Sequence, residues 1–328
     1  MESLAAAYGR LAPERRVHGI SATLLPYTPD GSIDWAAFAA HVARTHAAGL
    51  DVAVNMDTGF GDLLSPDERA AVLDATRAAL GGDVVFYAGA FADDADPLAA
   101  WHRSMAAIEA RGAVPVIVQH PCMHGLAAVE LAALYARIAA GAARAVAFEL
   151  GPVFAPHGAI WDDETFRRLL DVERLTGAKH SSLDRGLELR RLAARDRHRP
   201  AFRVYTGNDL AIDMVAYGSD YLLGLSTFAP AAFAARDAAL AAGDIAFLAR
   251  NDALQHLGNV AFRAPVPAYK HAAAIFLQLT GALAHDAIHP RAARRPAADR
   301  VLLLDCAVRL GAVADPERVH RQHVEPFL

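Results

Sequence analysis

Cysteine is nearly absent from this sequence. The 328 residues hold two, Cys122 and Cys306, far apart along the chain. That excludes a disulfide framework and the paired spacing of a zinc site. Cationic excess is also missing. The 32 Lys plus Arg stand against 37 Asp plus Glu, a net charge of -5, so neither nucleic acid nor an anionic membrane is an expected partner. The arginine-dense "RAARRP" at 291–296 is too short to alter that. No window approaches the roughly 18 uninterrupted apolar residues of a membrane span. The opening segment, "MESLAAAYGRLAPERR", carries acids and no long apolar run, so no signal peptide is read there and the cytoplasm is the expected location. No glycine-rich phosphate loop follows the first β-type run, which argues against a dinucleotide-binding unit. The scarcest reactive residue is lysine. Of the 32 basic side chains, only Lys179 and Lys270 are lysine. Arginine stays protonated in a protein and lysine need not. A lysine kept in so arginine-biased a chain is a candidate amine.

What is present is an ordinary globular composition, 54% hydrophobic and 21% charged, enough for one large domain or two small ones. Short β-type runs alternate with longer helical ones. The β candidates begin at 17, 51, 84, 114, 145, 176, 202 and 221, and several are almost wholly apolar, as strands covered on both faces should be. Between them lie alanine-rich amphipathic segments. "SPDERAAVLDATRAAL" carries helix-start chemistry, with Ser65 as N-cap, Pro66 in the first turn, and Asp67 and Glu68 at the positive end of the dipole. "SIDWAAFAAHVARTHAAG" is read as starting at Ser32 and closing on Gly49. Most strand starts fall 26 to 34 residues apart, one βα unit each, and the last units are compressed. Eight such units predict a (β/α)8 TIM barrel over 1–230. Helical stretches near 231–257, 267–283 and 298–311 predict a C-terminal helical extension over 231–328, packed on the barrel as one structural unit.

Chemistry in such a barrel collects at the carboxyl ends of the strands. Those ends offer Asn55, Asp57 and Thr58 on strand 2, His120 on strand 4 and Glu149 on strand 5. Strand 6 carries Lys179 and His180, strand 7 ends in Thr206, Asn208 and Asp209, and strand 8 offers Ser226 and Thr227. Lys179 and His180 face opposite ways. An outward lysine would meet the apolar helix layer, which is costly for an ammonium. Inward, burial would lower its pKa; bringing about 10.4 down to about 7 or 8 takes roughly 3 to 5 kcal/mol of differential destabilisation of the cation. A neutral amine there is a nucleophile for carbonyl carbons. The plainer alternative is a structural lysine paired with Glu149 or Asp57.

At this point the chain resembles the dihydrodipicolinate synthase / N-acetylneuraminate lyase superfamily of class I aldolases. The resemblance is carried by "TLLPYTPDGSID", "NMDTGFGDLLSPDER", "TGAKHSS", "VYTGND" and "PVPAYKHAAAIFLQLTG", and covers roughly 17 to 312. It implies a (β/α)8 barrel, a homodimer or homotetramer, and a lysine imine formed with a 2-oxo acid or related hydroxy-carbonyl or sugar-acid compound. Lys179 falls where the Schiff-base lysine is expected. Thr58 and Gly59, with Asp57, fall in the substrate-carboxylate loop, and Thr206, Gly207 and Asn208 in the seventh-strand glycine motif. The departures are equally specific. Glu149 stands where a proton-carrying tyrosine is expected, Met123 in place of a second tyrosine, Phe60 in place of a glutamate, and Phe154 near an expected arginine. The chain therefore does not read as a true dihydrodipicolinate synthase.

Without the tyrosines, the proton carrier must be something else. Glu149, on an apolar strand, would have its pKa raised by burial, and His120 is near neutrality unperturbed. Asp57 adds negative charge beside Thr58, which makes a plain 2-oxo acid anion a less comfortable guest than a substrate with hydroxyls to donate. The leading reading is a Schiff-base lyase, aldolase or dehydratase, with Lys179, Glu149 and His120 catalytic and no cofactor or metal. A second reading is a divalent-metal-dependent barrel lyase or isomerase using Asp57, His120, Glu149 and His180. A third is a non-catalytic small-molecule-binding barrel.

Overall fold

Eight parallel strands close into a barrel in sequence order in the computed structural model, which describes residues 3–155 and 158–328. Residues 1, 2, 156 and 157 of the predicted barrel segment therefore lie outside the described residues. The strands are β1 (Gly19–Ala22), β2 (Asp51–Val54), β3 (Phe86–Ala90), β4 (Ala113–Ile117), β5 (Ala145–Leu150), β6 (Leu175–Ser181), β7 (Arg203–Thr206) and β8 (Asp220–Leu223). A short α1 (Leu4–Tyr8) precedes them. The connecting helices are α2 (Trp35–Ala47), α3 (Pro66–Leu80), α4 (Pro97–Glu109), α5 (Ala128–Ala139), α6 (Asp163–Leu169), α7 (Arg185–His198) and, after β8, α8 (Pro230–Ala241). Then come α9 (Ala246–Ala261), α10 (Tyr269–Leu279), α11 (Asp299–Arg309) and α12 (Pro316–His323). No helix among the described residues is long and apolar enough to cross a membrane.

All eight predicted strands are present, so the barrel expectation holds. The compression seen between the last two strand starts has a simple cause. The β7–β8 link is a 3-10 segment, Ile212–Tyr217, rather than an α-helix. Other differences are local. The N-cap of α2 is Asp34, whose carboxylate accepts from Ala37 N at 2.9 Å, and not Ser32. The predicted 231–257 helix is two helices, α8 and α9, because Gly243 sits at φ +65 just past the end of α8. Glycine takes that backbone region without the Cβ clash other residues suffer. The last helix, α12, begins with an Asp315 cap and Pro316 in its first turn.

Two apolar shells hold the fold. Inside the barrel, Ile20, Ala53, Val116, Val146, Phe148 and Leu222 fill the bore. Outside, Phe38, Trp101, Tyr135, Phe166 and Phe233 pack between sheet and helices. Strand alternation assigns each residue to one shell or the other, and so decides which polar residues face the bore. In α10 the residues from Tyr269 to Leu277 are all buried, so this helix is sequestered on all sides rather than lying on the surface.

Helix α3 has the predicted start in full. Ser65 Oγ accepts from Glu68 N at 3.2 Å, while Glu68 Oε2 accepts from Ser65 N at 2.7 Å. Replacing Ser65 with Ala should lower unfolding free energy by about 1 kcal/mol, with Ser65→Gly costing less; chemical denaturation of the three proteins measures this.

Candidate active site

Lys179 points into the barrel. Its strand partners are Phe148 on β5 and Tyr205 on β7, both members of the inner shell. Its Nζ lies 4.4 Å from the centroid of the Phe148 ring. The residue is 6% exposed. Burial drives its pKa from the ordinary 10.5 down to about 8, against the opposing pull of Asp209 and Asp57. The ring face favours the ammonium modestly, yet desolvation wins.

Asp209 follows from the same alternation. Tyr205 pairs with Lys179, and Gly207 and Asp209 continue that face beyond β7. Asp209 is buried and accepts from Leu225 N at 2.7 Å. Burial raises its pKa to about 7; the Leu225 amide and Lys179 act against that rise, and Asp57 adds to it. Gly207 is where the lysine stem fits. A Cβ on Gly207 would stand 2.9 Å from Lys179 Cε and 2.0 Å from Ser181 Oγ. Ser181 Oγ is buried and has no hydrogen-bond partner among the described residues.

The opposite wall comes from β2 and α10. Asp57 Oδ1 accepts from Lys270 Nζ at 2.7 Å, and Asp57 Oδ2 accepts from Tyr269 OH at 2.7 Å. Tyr269 OH also lies 2.9 Å from Thr58 Oγ1. Burial first, and then the Asp57 carboxylate, holds the Tyr269 phenol far above its usual range. Lys270 Nζ sits 5.6 Å from the Phe60 ring centroid, so the phenylalanine at the expected glutamate position backs the second lysine. The Gly59, Phe60 and Gly61 amides are spent within the turn, donating to Met56, Asp57 and Met56 carbonyls respectively.

Other predicted residues lie on the far side of the sheet. Glu149 and His180 are neighbours in register on β5 and β6 and sit beneath the helices. Glu149 Oε1 is 2.5 Å from His180 Nδ1 and accepts from Arg191 Nε at 3.2 Å, and its Oε2 accepts from Trp161 N at 2.9 Å. His180 Nε2 lies 2.7 Å from Ser182 Oγ. Burial opposes the Glu149 charge, but His180 and Arg191 overcome it and hold the pKa below the usual carboxylate value. The expected rise for Glu149 is thus reversed, because its partners outweigh desolvation. Thr206 and Asn208 are likewise turned to the helix layer, both donating to Glu188 Oε2 on α7, at 2.9 and 2.6 Å. His120 is half-buried; its ring stands edge-on to Trp101 of α4, and its Nδ1 accepts from Cys122 N at 3.2 Å.

The structure therefore brings together Lys179, Asp57, Thr58 and Gly207. It joins to them Asp209 and Lys270, which the sequence offered only as a strand-end acid and a second rare lysine, and adds Tyr269; it does not bring Glu149, His120, Thr206 or Asn208 to the lysine. The ligand set of the metal reading does not converge either. Asp57 is inside the mouth while Glu149 and His180 are outside the sheet, and among the described residues no three His, Cys, Asp or Glu side chains form a metal cluster. Asp209 could have been chosen from the sequence by counting in twos from the lysine's partner, but that partner is known only from the register. Tyr269 comes from α10, 90 residues after Lys179 in sequence, and has no local signal.

A family model described as "Protein of unknown function (DUF993)" matches residues 15–327. Among curated proteins none matches. Solved structures of similar fold include dihydrodipicolinate synthase from Thermotoga maritima, with a TM-score of 0.77 at 18% identity over 91% of this chain and 100% of that one. YagE, a prophage protein of the dihydrodipicolinic acid synthase family from E. coli K12 in complex with pyruvate, gives 0.79 at 17% over 90% and 99%. KD(P)GA from T. tenax gives 0.72 at 17% over 90% and 99%. At these identities the likeness is one of fold, and it agrees with the superfamily resemblance of the sequence.

Two outcomes test the geometry. Gly207→Ala should displace the Lys179 stem and abolish any Lys179-dependent reaction while leaving the fold, read by circular dichroism, intact. Lys179→Met should stabilise the protein. The cost of holding the ammonium is full below the folded pKa of about 8 and fades as pH rises toward the unfolded 10.5. The variant should exceed wild type by about 3 kcal/mol at neutral pH and match it by about pH 11 in denaturant melts.

Proposed function

The chain belongs to the DUF993 family, and we propose that it is a class I, Schiff-base-forming lyase working through Lys179. One observation carries this reading. A buried amine with pKa about 8 on β6 shares the barrel mouth with a buried carboxyl with pKa about 7 just past the neighbouring β7. Near pH 7 to 8 such a pair holds a single proton between them. In the form with neutral Lys179 and protonated Asp209, one group is the nucleophile and the other the acid.

The steps balance as follows. Lys179 Nζ adds to the substrate carbonyl carbon, the carbonyl oxygen takes up the amine's proton, and a carbinolamine forms. Asp209 protonates the hydroxyl, which leaves as water, and the nitrogen lone pair closes the iminium. The Asp209 carboxylate, now charged beside a cation, removes a proton. From a β-hydroxyl, that breaks the Cα–Cβ bond and yields an enamine plus an aldehyde or ketone. From Cα, it leads to loss of the β-hydroxyl as water. Both outcomes pass through the same iminium. Tyr269, held by Asp57 and Thr58, supplies a phenol where the expected strand-5 tyrosine is missing. Glu149 and His180 keep a structural part in this reading, bracing β6 from behind. A small-molecule substrate, a homodimer or homotetramer and a cytoplasmic setting belong to the same reading.

Borohydride reduction in the presence of an oxo substrate should fix it to Lys179, seen as a mass increment on the peptide holding 179, and Lys179→Ala should lose activity by at least about 1,000-fold. An active Lys179→Ala protein would sink the reading. The kcat/KM profile should be bell-shaped, with limbs near 7 and 8. In Asp209→Asn the alkaline limb should vanish, leaving a single rise with pH that is set by Lys179 and lies below its wild-type value of about 8, because the carboxylate that favours the Lys179 cation is gone.

A further inference from the structure

We propose that the substrate of this site is an uncharged polyhydroxy ketone or aldehyde rather than a 2-oxo acid. The inference rests on the Schiff-base role of Lys179 and concerns only what the lysine accepts. Its first support is charge. Lys179 and Lys270 are the cations that β6 and α10 bring to the mouth, and Asp57 and Asp209 are the anions. Lys270 is in contact with Asp57 at 2.7 Å, both side chains being largely buried. That leaves Asp209 as counter-charge to the iminium. With a neutral substrate the four groups sum to zero. A substrate carboxylate would add a negative charge with neither lysine left to meet it, in a site already shielded from water, and such a charge is strongly disfavoured.

The second support is the second-strand turn. In the resemblance drawn from the sequence this turn is the carboxylate binder. Here three of its amides are committed: Gly59 and Gly61 donate to Met56 O, and Phe60 donates to Asp57 O. The Thr58 hydroxyl is engaged with Tyr269. What the turn presents instead is the Asp57 carboxylate, an acceptor. Acceptors suit substrate hydroxyls and repel carboxylates. The third support is Ser181, whose buried hydroxyl lies against Gly207, as the Lys179 stem does, and has no hydrogen-bond partner among the described residues. A buried hydroxyl left unpaired beside the reacting amine is satisfied by a polar, hydroxylated guest.

The test is borohydride trapping of the full-length protein, read by intact mass, with matched probes: dihydroxyacetone and erythrulose as neutral hydroxy-ketones, pyruvate and hydroxypyruvate as anions. Half-maximal labelling of Lys179 should need at least about 10-fold less neutral probe than anionic probe. Asp57→Asn, which removes the anion and leaves Lys270 unpaired, should narrow or reverse that preference. Equal or better trapping of pyruvate by wild type would overturn the substrate assignment while keeping the Schiff-base reading. Labelling by none of the four probes would overturn both. The wild-type comparison stands on its own should the variant fail to fold.

Discussion

One constraint governs this molecule: an amino group must be kept out of water inside a closed barrel. The closed sheet supplies the shielding. Phe148 below and Gly207 beside the stem supply the space. Desolvation is the largest influence on the Lys179 pKa, larger than the attraction of either neighbouring carboxylate. Had the sheet been open, solvent would have restored the ordinary value and the amine would be a spectator cation. The same shielding raises Asp209, so one physical cause moves an acid up and a base down until their ranges meet. That convergence brings the titrations of both groups close to neutrality.

The alternation of strand residues divides the polar inventory into two jobs. On β6, Lys179 faces the bore and His180 faces the helices. On β5, Phe148 supports the lysine and Glu149 joins His180 and Arg191 behind the sheet. On β7, Thr206 runs outward to Glu188, while Gly207 leaves room for the lysine. The buried polar groups behind the sheet are satisfied by one another, as buried ions must be. They tie β5, β6 and β7 to α7 through Arg191 and Glu188, and so hold in place the strand that carries Lys179 and its two neighbours.

Across the mouth, α10 completes the site from outside the barrel repeat. Tyr269 and Lys270 meet Asp57 with two hydrogen bonds, which neutralise the one acid the second-strand turn would otherwise leave bare. The barrel alone would give a lysine facing two carboxylates. With α10 docked, the charges pair off, and the mouth offers acceptors and hydroxyls rather than a free cation. This accounts for the changes relative to the resembled superfamily as a set. The acid in the carboxylate loop and the phenylalanine at the glutamate position both meet the late-helix lysine, Asp57 as its ion-pair partner and Phe60 behind it.

Much of this was readable from the chain itself. The 26-to-34-residue spacing of apolar runs predicted eight βα units, because each strand buried on both faces must be near-continuous in Val, Ile, Leu and Ala. The rarity of lysine singled out Lys179, and strand alternation required either it or His180 to face inward. Local capping chemistry marked α3. What the sequence could not decide was which strand-end polar groups share the bore with the lysine. Glu149, Thr206 and Asn208 looked eligible because they sit at strand ends, but facing depends on the register between neighbouring strands, which no single strand encodes. Asp209 and Tyr269 reach the site only when β7 aligns with β6 and α10 folds back over the mouth. Those placements are non-local, set by how the closed barrel and its helices pack, and so the partner of the amine was decided by tertiary structure alone.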